Sequence, residues 1–271
     1  MRDATEWAEK QFGAARLGNV SRTRRLVLLA EEAARRPSGI VSEACASSAS
    51  REGAFRLLEN ESVRPSDVAA PVYASTVQEC AGEETVIVAI DGSSLTLADD
   101  ARAKDLGGIG AWNLGARGVQ TMNALAVTRD GAPIGICGQR YWLRENRSQT
   151  TSKEGPSDRS ESRYWLELVE DVHRSFADYA PKTRPWFQAD RGADAWPLYA
   201  LATKRGVLMT VRAVYDRRLE SGAHLRSTIQ RARRVASRRI ELAARPPGRK
   251  KKLIDGDGSG KSAVSRKGGD A

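Results

Sequence analysis

Val86-Ile87-Val88-Ala89-Ile90-Asp91 is a continuous apolar, β-branched run that ends on a carboxylate. It predicts a central strand over 85–90, buried on both faces. A second run, Trp186-Phe187-Gln188-Ala189-Asp190, closes in the same way 99 residues later. An aspartate at the C-terminal edge of a buried strand is held at a sheet rim, where its oxygens can coordinate a hard cation such as Mg²⁺. The same placement also suits a turn residue or a helix cap. Taken together, Asp91 and Asp190 could share one metal site.

Between these acids the pattern alternates. Stretches 121–127 and 133–144 flank a turn containing Arg129-Asp130-Gly131 and read as an antiparallel hairpin. A polar loop is expected over 145–160. A helix follows over 162–179, with Trp165, Leu168, Val169, Val172 and Phe176 on one face. Next come a strand at 185–190, a helix at 193–204 and a strand at 206–212. A strand, a hairpin, then alternating helix and strand describe an α/β fold with a ribonuclease-H-like mixed sheet core, in which the two acid-bearing strands are neighbours.

Upstream, Trp7, Phe12, Leu17, Leu26, Leu29 and Ala30 fit helices broken near Gly13 and Gly18. Ser21-Arg22-Thr23-Arg24-Arg25 opens a helix with a basic first turn, the reverse of what the helix dipole favours. Cations gathered at a helix start suit phosphate oxygens, although an ordinary solvated arginine face has the same composition. A further helical stretch over 50–58 carries Arg51 and Arg56 beside Ala54, Phe55 and Leu57. The expected division is a small all-helical DNA-binding domain over 1–72, the sheet core over 73–215, the start of a β-rich insertion over 216–254, and a disordered tail over 255–271.

Lys and Arg total 44 against 34 Asp and Glu, so the formal net charge of +10 favours an anionic partner such as nucleic acid. Cys45, Cys80 and Cys137 are widely spaced, which suggests neither a disulfide framework nor a zinc site. His173 and His224 are isolated from each other and from cysteine, so packing or surface roles are expected. No run approaches the ~20 apolar residues that span a bilayer, and the N-terminus lacks a signal-peptide pattern. Asp255-Gly256-Asp257-Gly258-Ser259-Gly260-Lys261-Ser262 imitates a phosphate-binding loop but has Asp255 where glycine is needed, with no strand–loop–helix setting.

In their order and spacing, several motifs resemble bacterial cut-and-paste DDE transposases of the insertion-sequence-four group, like that of Tn-five. They are Leu17-Gly18-Asn19 with Arg22-Thr23 and Arg25-Leu26, Glu52-Gly53-Ala54-Phe55-Arg56, and Ile90-Asp91-Gly92-Ser93-Ser94-Leu95. Leu106-Gly107 to Gly110, Arg117-Gly118 and Asp190-Arg191-Gly192-Ala193-Asp194 complete the set. The resemblance implies a DNA strand-transferase in which Asp91 and Asp190 hold Mg²⁺ (or Mn²⁺) for in-line attack on phosphate. It further implies that Arg22, Arg25 and Arg56 grip double-stranded transposon-end DNA, that Arg212 lies near the DNA backbone, and that Arg191 helps orient the site. A homodimer and a cytoplasmic, nucleoid-associated location also follow from it.

Departures from the family pattern are equally informative. The family carries a third carboxylate in a Tyr-x-x-Arg-x-x-x-Glu-x-x-x-x-x-x-Lys pattern, whereas Tyr215 and Arg218 are followed by Gly222 where that spacing needs Glu. Glu220 and Glu241 are formal substitutes outside the expected helical context. Met122-Asn123 stands where many relatives carry His-Ser, and Ser21 where relatives often carry Arg. With 81 residues after Asp190, the expectation is a C-terminally truncated transposase of impaired catalysis that lacks the dimerisation helices. The alternative is a non-catalytic fragment that occupies transposon ends or inhibits a full-length transposase. A stand-alone nuclease of the same fold is a third reading.

Overall fold

The structure is a computed structural model and describes residues 3–98, 104–109, 116–144 and 161–236. The loop expected over 145–160, Glu241, the loop-like 255–262 motif and the tail lie outside these residues. The chain divides into two compact units, Met1–Asp216 and Arg217–Ala271.

The first unit begins with helices whose starts are capped by short polar side chains. Asp3 accepts from the Thr5 N–H at the start of α1 (Ala4–Phe12), and Asn19 accepts from the Ser21 N–H at the start of α2 (Val20–Arg35). A single turn, α3 (Val41–Ala44), precedes α4 (Ser48–Leu58), whose Ser47 cap accepts from the Ser50 N–H. Buried Glu32 on α2 receives the Ala46 N–H and the Ser50 hydroxyl, which locks the turn between α3 and α4 onto α2. Ala15, Leu17, Leu26 and Leu57 form a small core, joined by Phe12, Val63 and Val68.

Val68 belongs to α5 (Pro65–Glu79), which runs unbroken through residue 72. Its far end carries Val77, and Cys80 follows; both are fully buried in a second, larger core. Burial pushes the Cys80 thiol up to about 11 and the Cys137 thiol up to about 12, so both stay protonated at neutral pH.

The second core lies against one mixed sheet made of β1 (Thr85–Thr96), β2 (Gly107–Gly108), β3 (Arg117–Val127), β4 (Pro133–Trp142), β5 (Arg184–Ala189) and β6 (Leu208–Val211). Its order is β2-β3-β1-β5-β6, with β4 also paired to β3. β1, β3 and β4 are antiparallel neighbours, while β5 and β6 continue from β1 in parallel. That is the ribonuclease-H-like arrangement anticipated from the sequence.

Val86, Val88, Ile90, Ala124, Phe187 and Cys137 face α6 (Ser162–Tyr179), whose Leu168, Val169, Val172 and Phe176 are buried against them; Leu198 of α7 (Trp196–Arg205) joins the same core. α6 can approach β4 closely because residue 138 is glycine: a Cβ there would lie 2.7 Å from Val172 Cγ2 and 2.9 Å from Leu168 Cδ1. The expectation that β1 is buried on both faces holds for one face only. Thr85, Ile87 and Ala89 alternate with the core residues and remain partly exposed.

In the second unit, Arg218 bridges His224 across a turn at Gly222, and α8 (Leu225–Arg231) follows. The insertion expected over 216–254 thus begins with a turn and a helix within its described part.

Candidate active site and nucleic-acid interface

Strand register brings the two carboxylates together. β1 and β5 pair in parallel, and their last partners are Ile90 and Ala189, so Asp91 and Asp190 are the next residues on adjacent strands. Neighbouring strands lie about 4.8 Å apart. Ile90 and Phe187 point into the core. By alternation Asp91 and Asp190 stand on the opposite, open face, and both are exposed.

Each acid accepts from a backbone N–H just after it: Asp91 lies within β1, which runs on to Thr96 and does not end at residue 90 as the sequence suggested, whereas Asp190 follows the end of β5. Asp91 Oδ1 accepts from the Gly92 N–H at 2.9 Å, and Asp190 Oδ1 accepts from the Gly192 N–H at 2.7 Å, capping the 3₁₀ turn Arg191–Ala193. Both Oδ2 atoms lack a hydrogen-bond partner among the described residues. Two carboxylates with open oxygens fit Mg²⁺, which commonly takes one or two carboxylates and completes its shell with water and phosphate. Among the described residues no group of three or more His, Cys, Asp or Glu could hold a metal. Glu220 is exposed in the second unit.

Asp194 is the acid whose role the sequence left open. Only 6% exposed, it accepts from the Val214 N–H at 2.6 Å, the Tyr215 N–H at 3.1 Å and the Tyr199 hydroxyl at 2.8 Å. It thereby ties the chain leaving β6 to the turn that carries Asp190. Arg212 lies in this segment, and its N–H donates to the Ala189 carbonyl at 3.1 Å, which brings Arg212 to the acid end of the sheet. Arg191 is exposed on the same turn.

The N-terminal arginines sit on α2 and α4 and also carry structural contacts. Arg22 donates to the Leu17 carbonyl at 3.0 Å, securing the α1–α2 loop. Arg25 lies over α4 at Gly53, where a Cβ would stand 2.6 Å from its guanidinium carbon. Arg56 pairs with Glu52 one turn away on the exposed side of α4. Arg24 and Arg51 are exposed on the same two helices, although the sequence reading did not single them out as DNA contacts.

Residues 4–63 match the transposase DNA-binding family. The match supports DNA binding in transposition for these helices, and DNA as the partner of the chain. No curated protein matches the chain. Within this DNA-binding domain fall Arg22, Arg25 and Arg56; Asp91, Asp190 and Arg212 lie outside it. No helix among the described residues is long and apolar enough to cross a membrane.

The contact between Arg25 and Gly53 gives a test specific to this domain. Gly53→Ala is expected to displace the Arg25 guanidinium and weaken duplex DNA binding about fivefold or more, the scale of one disturbed charged contact. The fold should survive, because a long flexible side chain can move aside. Fluorescence anisotropy titration checks this, and an unchanged affinity would remove Arg25 from the interface.

Proposed function

We propose that the chain binds transposon-end DNA and that Asp91 and Asp190 hold Mg²⁺ (or Mn²⁺) against a backbone phosphate of that DNA, as in a DDE transposase of the insertion-sequence-four group. The observation that carries this reading is the β1–β5 register, whose last pair, Ile90 and Ala189, immediately precedes the two exposed acids. The same compact unit contains the DNA-binding helices.

When bound, the ion would supply Lewis acidity at the phosphate, lowering the nucleophile's pKa and stabilising the leaving oxygen. The chain's own groups do the rest. Asp91 and Asp190 present their open Oδ2 atoms, Arg212 adds positive charge beside them, and Arg22, Arg25 and Arg56 bind backbone phosphates at a distance. From the resemblance we extend to this chain a place of action on DNA in the cytoplasm, but not the homodimer of the group, because the dimerisation helices are not recognisable in its sequence.

A second reading, a non-catalytic protein that occupies transposon ends, is favoured by one observation: the family match falls on the helices of residues 4–63, which carry DNA binding and not the acids. Strand cleavage of labelled terminal duplexes of the encoding element, with Mg²⁺ or Mn²⁺, separates the two. Cleavage by the wild type that Asp91→Ala abolishes supports the enzyme. End binding without cleavage supports the second reading, and failure to prefer the terminal duplex over unrelated DNA overturns both.

A further inference from the structure

The open face of the sheet carries more than the two acids. In the β1–β3 register Asp91 is opposite Asn123, and in the β3–β4 register Asn123 is opposite Gln139. Directly paired residues share a face, with Cβ atoms about 5 Å apart. Asp190, Asp91, Asn123 and Gln139 therefore form a lateral row across β5, β1, β3 and β4.

Hydrogen bonds give this row a direction. Tyr73 of α5 donates its hydroxyl to Gln139 Oε1 at 3.3 Å, and Gln139 Nε2 donates to Asn123 Oδ1 at 2.6 Å. Buried Thr121 donates to the same Asn123 oxygen at 3.3 Å. A carboxamide is planar, with its oxygen and nitrogen on opposite sides. Gln139 and Thr121 thus engage the Oδ1 side of Asn123, one strand from Asp91, and leave Nδ2, from which no described residue accepts.

We propose that Asn123 is a DNA-contact residue, donating Nδ2–H to a non-bridging oxygen of the phosphate that Asp91 and Asp190 hold through their ion, with Gln139 and Tyr73 fixing its amide. This rests on the metal-site reading above. The chemistry favours an amide at that position. Lysine or arginine one strand from Asp91 would pair with the carboxylate and compete with the metal for it. A neutral donor offers the phosphate a hydrogen bond without neutralising the acids, and the relay from Tyr73 removes the rotamer freedom that such a contact would otherwise have to overcome.

The test uses the full chain with Ca²⁺, which supports binding without turnover, and measures terminal-duplex affinity by anisotropy alongside Mn²⁺ binding by electron paramagnetic resonance. Asn123→Asp keeps the size of the side chain and an oxygen for Gln139 and Thr121 to donate to, but replaces the Nδ2 donor with an acceptor. It is expected to weaken DNA binding about tenfold or more, the scale of one hydrogen bond to a charged group, while Mn²⁺ binding is retained or tightened. Tyr73→Phe, far less perturbing to folding, is expected to weaken DNA binding about twofold to threefold through looser positioning of the amide. DNA affinity unchanged in both variants would overturn the proposal. So would Mn²⁺ binding lost in Asn123→Ala as fully as in Asp91→Ala, because Asn123 would then act on the acid and not on the DNA. Mn²⁺ binding indifferent to Asp91→Ala would sink the metal-site reading itself, an outcome distinct from either.

Discussion

Phe187→Ala is expected to lower the unfolding free energy by about 3–5 kcal/mol, the range for truncating a fully buried aromatic. Phe187 is 0% exposed, in the middle of β5, where it pairs with Val88 on one side and Met209 on the other. Its ring faces the core that contains Leu168, Val172 and Phe176. The central strands of a sheet relax little, so most of the cavity would persist. For a domain of this size the loss corresponds to a drop in Tm on the order of 10 °C. Urea denaturation followed by circular dichroism checks it. A change under about 1 kcal/mol would mean that the side chain is not packed as described. Because Phe187 and Asp190 lie on opposite faces of the sheet, Mn²⁺ binding should survive in protein that remains folded.

Asp194→Ala should act on the site more directly. The carboxylate accepts from two backbone N–H groups and one hydroxyl while almost wholly buried. Hydrogen bonds to a charged group contribute about 1.5–3 kcal/mol each, but Val214 and Tyr215 are exposed enough to recover part of this from water. A loss of roughly 2–4 kcal/mol is expected, concentrated in the segment 212–216. Hydrogen exchange should quicken at the Val214 and Tyr215 amides while the β1 amides stay protected. Tyr199→Phe removes one donor alone and should cost about 1 kcal/mol. Uniform exchange across the sheet after Asp194→Ala would show that the residue supports the whole fold and does not act as a local tether.

Much of the sheet core is legible in the sequence because its signals are local. The run before Asp91 is apolar and β-branched, the apolar positions of α6 recur at helical spacing, and the order strand, hairpin, helix, strand makes the two acid-bearing strands neighbours. The missing parts have physical reasons. α5 contains Pro71 and is flanked there by small residues, Ala69, Ala70 and Ala74, so no apolar stripe announces it. The second half of β1, from Gly92 to Thr96, has turn composition and becomes strand only because β3 pairs with it as far as Gly118. Asp194 reads as a loop acid until its buried partners are known. Asn123 is a poor strand former by propensity. Its position opposite Asp91 is a fact of the β1–β3 register, and its position opposite Gln139 depends on the bulges between β3 and β4.

α5 has a consequence for measurement along DNA. With 15 residues rising about 1.5 Å each, it is roughly 22 Å long and packs on the small helical core and on the sheet, with Lys10 and Gln11 of α1 bonded to its Glu79 and Ser75. Val68 is anchored at one end and Val77 at the other. A rod packed at both ends acts as a ruler: under the proposed function, the spacing along DNA between the phosphates bound by the N-terminal helices and the phosphate held at the acids would be set when the protein folds. One alanine inserted into its middle would advance that ruler by about 1.5 Å and turn it by about 100°. The two halves of the molecule would then be out of phase on the same double helix.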